Sequence, residues 1–218
     1  GVPIVVGAAA VAVDASGRPT DRYNVSVYLR PDGATSIYRK NWRMPFGENL
    51  SWIPDWVRSQ FGLTHVGGLT AGRENPVFHL GERPFRNLIC YEAVLPYYVR
   101  PSADGAELLV NITEDIWYGD TAHVPQHLSV LVLRSIESRV PIVRVTNVGP
   151  SGIVDATGEF RAGSGTFEPA AFALDLVPYE TRTLYEIGGF AFPALAGLIA
   201  VGRFAIFLIR RTDSRHAT

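Results

Sequence analysis

Between Tyr23 and Leu29 apolar and polar positions alternate with a period of two, the pattern of a strand with one buried face. Residues 3 to 13 before it form an apolar run that ends in the turn cluster Asp14-Ala15-Ser16-Gly17, and Arg30-Pro31-Asp32-Gly33 turns the chain again after it. Two paired strands are predicted. Residues 41 to 85 are rich in Gly, Pro and Trp and have little periodicity, which predicts a long functional loop or a rim with short helices. Strand patterning returns in Asn87-Leu88-Ile89-Cys90 and again from Ala106 to Ile112. Cys90 and Asn111 are therefore expected at strand ends, where open sheets carry their chemistry.

The period changes to helical from Gln126 to Arg139. Leu128, Leu131, Val132 and Ile136 share one face, with Arg134, Glu137 and Ser138 directed away from it, so an amphipathic helix packed on a sheet is predicted. Pro141 to Thr146 and Ser151 to Asp155 read as two strands joined through Asn147-Val148-Gly149-Pro150, followed by the turn Asp155-Ala156-Thr157-Gly158. Strands, hairpins and a covering helix in this order indicate an α/β layered domain. Gly1 to Gly7 has neither a basic n-region nor a cleavage pattern and reads as a strand already under way.

A different pattern follows Ile187. Phe190 to Ile209 contains one charge, Arg203, and about 20 apolar residues suffice to cross a bilayer. Arg210, Arg211 and Arg215 come next, and basic flanks favour the cytoplasmic side. The expectation is a transmembrane helix over 187–211 and a cytoplasmic tail over 212–218, with the domain of residues 1–186 on the opposite side.

Composition narrows the class. A hydrophobic fraction of 47% with 19% charge in 218 residues excludes a disordered chain. A net charge of −1 with scattered arginines leaves no basic stripe for nucleic acid. One cysteine excludes an internal disulfide and a cysteine-based zinc site, and the spaced pair His123 and His127 lacks the HExxH pattern, so neither a metal nor a cofactor is expected.

Lys40 is the only lysine and Cys90 the only cysteine. A sulfur nucleophile and a fixed cation for the oxyanion formed on attack are the parts that covalent acyl transfer needs. Each sits in a short motif: Tyr38-Arg39-Lys40 running to Pro45-Phe46-Gly47-Glu48, and Leu88-Ile89-Cys90-Tyr91-Glu92.

Two further stretches follow in register: Leu109-Val110-Asn111-Ile112 with Asp115 and Trp117-Tyr118-Gly119, then Gln126-His127 with Arg144-Val145-Thr146-Asn147 and Gly149. Together the four resemble the nitrilase-like domain of bacterial apolipoprotein N-acyltransferases, over most of residues 1 to 186. The hydrophobic stretch that follows is similar to that family's last transmembrane helix. The resemblance implies an α/β nitrilase-like αββα sandwich, N-terminally incomplete here, followed by one transmembrane helix. It places the chain in the bacterial inner membrane, with the catalytic domain in the periplasm.

The resemblance also implies roles. Cys90 would take an acyl chain from a phospholipid as a thioester, Lys40 would hold the oxyanion, and Glu48 would orient Lys40 or support proton transfer. The acceptor would be the diacylglyceryl-cysteine amine of an apolipoprotein. Tyr91 and Glu92 would shape the pocket, with Asn111 and Trp117 as further substrate-binding positions. The family's general-base glutamate lies upstream of the segment where this chain begins, so the fragment alone is expected to be inactive. Glu114 stands where the family usually has asparagine before Asp115, and Val148 where a second asparagine commonly follows Asn147. Two alternatives share the fold: an amidase or nitrilase acting on a small substrate with the same Cys90 and Lys40, and a non-catalytic interaction domain.

Overall fold

The computed structural model describes residues 1–50, 53–63, 68–179 and 181–216. Parts of the expected long loop, 51–52 and 64–67, and the last two residues of the expected tail lie outside that range.

Strands β1 (Ile4–Val13), β2 (Pro19–Leu29) and β3 (Thr35–Arg39) form an antiparallel sheet in chain order. The turns at Asp14–Gly17 and Arg30–Gly33 make it, each closed by a backbone bond to Asp14 or Arg30. β3 ends at Arg39 and so delivers Lys40 at the sheet's end; the sequence reading of two strands omitted it. A second sheet runs in the order β4 (Phe78–Leu80), β5 (Arg83–Ile89), β6 (Leu108–Thr113), β7 (Ile142–Thr146), β8 (Gly152–Val154) and β9 (Phe160–Ala162). Its centre, β5-β6-β7, is parallel, and the flanking pairs are antiparallel. The expected loop of residues 41–85 contains the helix α1 (Asp55–Gln60) and also β4.

Two apolar clusters divide the layers. Tyr28 and Tyr38 of the first sheet pack on Phe78, Phe85, Ile89 and Val110 of the second, so the sheets lie face to face. Leu88, Leu109 and Ile142, on the other face of the second sheet, pack on α2 (Pro96–Ala103) and α3 (His123–Ser138) through Val99, Ala103 and Leu131. The described residues thus supply a sheet, a sheet and a helical layer. Ile4, Val6 and Ile37, on the outer face of the first sheet, are exposed.

Two expectations change. α3 starts at His123, and its buried face holds Val124, His127, Leu131, Arg134, Ser135 and Ser138, so Arg134 and Ser138 do not point away from the core. The reason is hydrogen bonding: Ser135 Oγ donates to the carbonyls of Val140 and Asp155 and Ser138 Oγ to that of Arg134, which lets short polar side chains fill the seam beside β7 and β8. Asn111, expected at a strand end, lies inside β6, paired with Leu88 on one side and Arg144 on the other.

From Arg182 onward the chain forms a separate unit. Thr183 caps the short helix α4 (Leu184–Gly188) by accepting the Glu186 N–H at 2.9 Å, and α5 runs from Ala191 to His216. Among the described residues no helix is long and apolar enough to cross a membrane. Side chains of α5 are described as far as Phe207, short of the end of the expected span.

Candidate active site

Cys90 follows the last residue of β5 and opens a short 3-10 turn, Cys90–Val94. Its φ of 50° lies in the left-handed region that non-glycine residues rarely adopt. An outlier of this kind is held only where its surroundings over-determine it. Glu92 provides that restraint. Its carboxylate is fully buried and accepts the N–H of Ile89 at 2.7 Å, tying the turn back onto β5.

The same carboxylate reaches the other candidate residue's segment. It accepts the N–H of Asn41 at 2.7 Å, the N–H of Trp42 at 3.0 Å and the Tyr38 hydroxyl at 2.7 Å. Glu92 is two residues after Cys90, and Asn41 is one after Lys40. The joint therefore ties the turn that opens with Cys90 to the chain segment that follows Lys40, across two different sheets. Burial pushes the Glu92 carboxyl up, against the opposing pull of the Trp42 N–H, the Tyr38 hydroxyl and the remaining donors. Burial, with Glu92 and Tyr98 as neighbours, also raises Tyr38.

Lys40 is 2% exposed and its Nζ donates to Glu48 Oε2 at 2.6 Å. The Met44 N–H binds that same oxygen at 2.8 Å and Asn24 Nδ2 reaches Oε1 at 3.4 Å. The Lys40 backbone is held as firmly, its N–H by the Asn24 carbonyl and its carbonyl by the Gly72 N–H. Gly72 lies so close to the Arg39 carbonyl that any Cβ there would collide with it, which explains a glycine at that position.

Tyr118 closes a third side. Its hydroxyl lies 3.4 Å from Met44 Sδ. Burial, followed by the negative charges of Cys90, Asp115 and Glu48, pushes it up to about 12, so the phenol stands within electrostatic reach of both halves of the site. Trp117 beside it is 81% exposed, and Tyr91 is half-buried. Asn111 is fully enclosed, donating to the Leu88 carbonyl at 3.4 Å and accepting from Arg144 at 3.0 Å.

Sequence reasoning named no role for Tyr38, Asn24, Asp115, His127 or Arg144. Arg144 and Asp115 form a fully buried ion pair at 2.5 Å, and His127 Nδ1 lies 3.1 Å from Asp115 Oδ1. An arginine inside the apolar run Ile142-Val143-Arg144-Val145 was the available signal.

A thiol on a strained turn, joined through a buried carboxylate to a lysine–glutamate pair, over two facing sheets and one helical layer, defines a nitrilase-like α/β protein. The description of the carbon-nitrogen hydrolase family matches residues 1–177, and the chain belongs to that family. It is 37% identical over 161 residues to the apolipoprotein N-acyltransferase of Sinorhizobium medicae, covering 71% of this chain and 30% of that one. It is 34% identical over 184 residues to the protein of that name from Chlorobaculum tepidum, covering 80% and 34%. The chain thus spans about a third of the length of these curated relatives. Among solved structures it resembles an amidase from Nesterenkonia sp., at a TM-score of 0.57 and 21% identity over 78% of this chain and 59% of that one. It likewise resembles Saccharomyces cerevisiae Nit3, at 0.55 and 20% over 75% and 56%. These likenesses establish the fold.

Proposed function

We propose that this chain carries the nucleophile and the oxyanion cation of an apolipoprotein N-acyltransferase. The observation that supports the reading is the Glu92 joint, which ties the Cys90 turn to the segment after Lys40 in a chain similar over 71% of its length to a protein of that name. In the first half-reaction the Cys90 thiolate attacks the ester carbonyl of a phospholipid acyl chain. A carbon–sulfur bond forms and the carbon–oxygen bond to the glycerol breaks. The lysophospholipid alkoxide leaves with the proton that a general base took from the thiol, and Lys40 stabilises the oxyanion between these events. In the second, the α-amine of a diacylglyceryl-cysteine attacks the thioester. The amide forms, the carbon–sulfur bond breaks, and the amine proton passes to the base as the thiolate is regenerated.

Glu48 orients Lys40 in this scheme, and Tyr91, Trp117 and Asn111 line or support the substrate side. We assign Glu92 a positioning role, because all the partners it shows are protein donors. The chain would sit in the bacterial inner membrane with residues 190–209 as a span, the catalytic domain periplasmic and the C-terminus cytoplasmic. The exposed apolar side chains of α5, Phe192, Leu198 and Val201 among them, and the arginines at 210, 211 and 215 support that placement. Intact mass after incubating the native gene product with phospholipid is the test. One acyl adduct is expected, absent in Cys90→Ala; an adduct that survives the substitution overturns the assignment.

A further inference from the structure

Lys40 does not reach the sulfur as an unshared charge, because Glu48 holds its ammonium at 2.6 Å. Cys90 is only partly buried, and a thiolate forms readily only next to a cation or a comparable donor set, which a lysine already paired with a carboxylate supplies incompletely. Arg144 is placed to act here. Across the parallel strands Leu88, Asn111 and Arg144 stand side by side in one row, two residues below Cys90 on β5. Arg144 Nη1 binds Asn111 Oδ1 in its own row at 3.0 Å. Its Nη2 binds Asp115 Oδ2, four residues further along than Asn111. The guanidinium therefore reaches from the Leu88 row towards the level at which β5 ends at Ile89 and Cys90 follows.

The rest of the cluster is built around that position. Asp115 is fully buried and takes Thr113 Oγ1 and Thr146 Oγ1, each at 3.2 Å, as well as Arg144 and His127. These donors hold its carboxyl below the usual range although burial alone would raise it, so it remains an anion that fixes the guanidinium. Arg144 is 0% exposed and its Nε has no partner among the described residues. An arginine this enclosed, with a donor unused, is costly unless its charge serves something. Burial lowers its proton affinity, while negative charge on Asp115 and on Cys90 opposes that effect.

We propose that Arg144, held by Asp115 and Asn111, is a positioning residue that supplies the second positive charge for the Cys90 thiolate from behind the strand end. The inference rests on Cys90 as nucleophile. The other charged or titratable groups on the surrounding elements are the Lys40–Glu48 pair after β3, Tyr91 and Glu92 on the Cys90 turn, Asp115 and Tyr118 after β6, and His123 and His127 on α3.

The test reads the thiol directly and does not depend on acyl transfer. Cys90 in the native gene product is alkylated with iodoacetamide, and its peptide is quantified by mass spectrometry at pH 7 and at pH 10.5. Arg144→Gln should slow alkylation at pH 7 by roughly tenfold, the effect of one unit of thiol ionisation, and leave the rate at pH 10.5 unchanged. Arg144→Lys should recover most of the neutral-pH rate. Should Arg144→Gln fail to fold, the isosteric Asn111→Asp, which sets a second carboxylate on the guanidinium, should produce the same pH-selective loss. Folded Arg144→Gln or Asn111→Asp protein with the native rate at both pH values overturns the proposal, as does an equal loss at both, which marks a purely structural role. If Cys90→Ala retained acyl transfer, the nucleophile assignment would fail while this measurement still stood.

Discussion

Lys40 illustrates how much one residue's shape decides. Its ammonium is a compact charge in an enclosed site, fixed on Glu48 Oε2 at 2.6 Å with the Met44 N–H on the same oxygen. A guanidinium is planar, wider and needs two or more acceptors in its plane. Lys40→Arg is therefore expected to lower the rate of acyl-adduct formation almost as far as Lys40→Ala, by about 10²-fold or more, the scale of losing one oxyanion donor. Single-turnover adduct formation by intact mass measures it. Near-native rates in the arginine variant would mean that any cation suffices at this position. The candidate pair itself was legible in the sequence, since Cys90 and Lys40 are each unique. The charges that surround them were not, because Asp115, His127 and Arg144 meet only when β6, α3 and β7 pack together.

At the scale of elements the decisive feature is the joint between the Cys90–Val94 turn and the end of β3. Glu92 Oε2 accepts the Ile89 N–H while Oε1 accepts from Asn41, Trp42 and Tyr38. Glu92→Gln puts an amide NH2 against one of these donors and leaves buried N–H groups unmet, at a cost of about 1–3 kcal/mol. Chemical denaturation should show that loss, and adduct formation should fall with it even in protein that remains folded. Unchanged stability would show that the four bonds do not hold the joint. β6 and β7 were readable because buried parallel strands are largely apolar runs, whereas only the end of β5, Asn87 to Ile89, was, its earlier positions being Arg83, Pro84 and Arg86. β3 was not, since Thr35 to Arg39 is short and follows directly on a turn. The α3 face was misread at Arg134 and Ser138, which are buried; Ser138 Oγ donates to the Arg134 carbonyl, a use of serine that hydrophobic periodicity does not register.

At the scale of the whole molecule, the proposed membrane placement of residues 190–209 predicts a topology. A membrane-impermeant thiol reagent should label Cys90 in intact spheroplasts that carry the native gene product, given that detergent makes the thiol reachable. Labelling only after the membrane is breached would place the domain on the cytoplasmic side. Arg203 is the one charge within residues 190–209; in the proposed span it would cost about 2.5 to 3.5 kcal/mol at the helix centre and less near an end. The same two-sheet fold occurs in proteins named as amidases, so what separates an acyltransferase is the fate of the acyl group. The most direct test is to isolate the acyl-enzyme on Cys90 and chase it with a diacylglyceryl-cysteine peptide carrying a free α-amine. The account predicts that the adduct disappears at the rate at which the triacylated peptide forms, and that an N-acetylated peptide accepts nothing. Release of the acyl chain to water as free fatty acid, at a rate indifferent to the peptide amine, would contradict it.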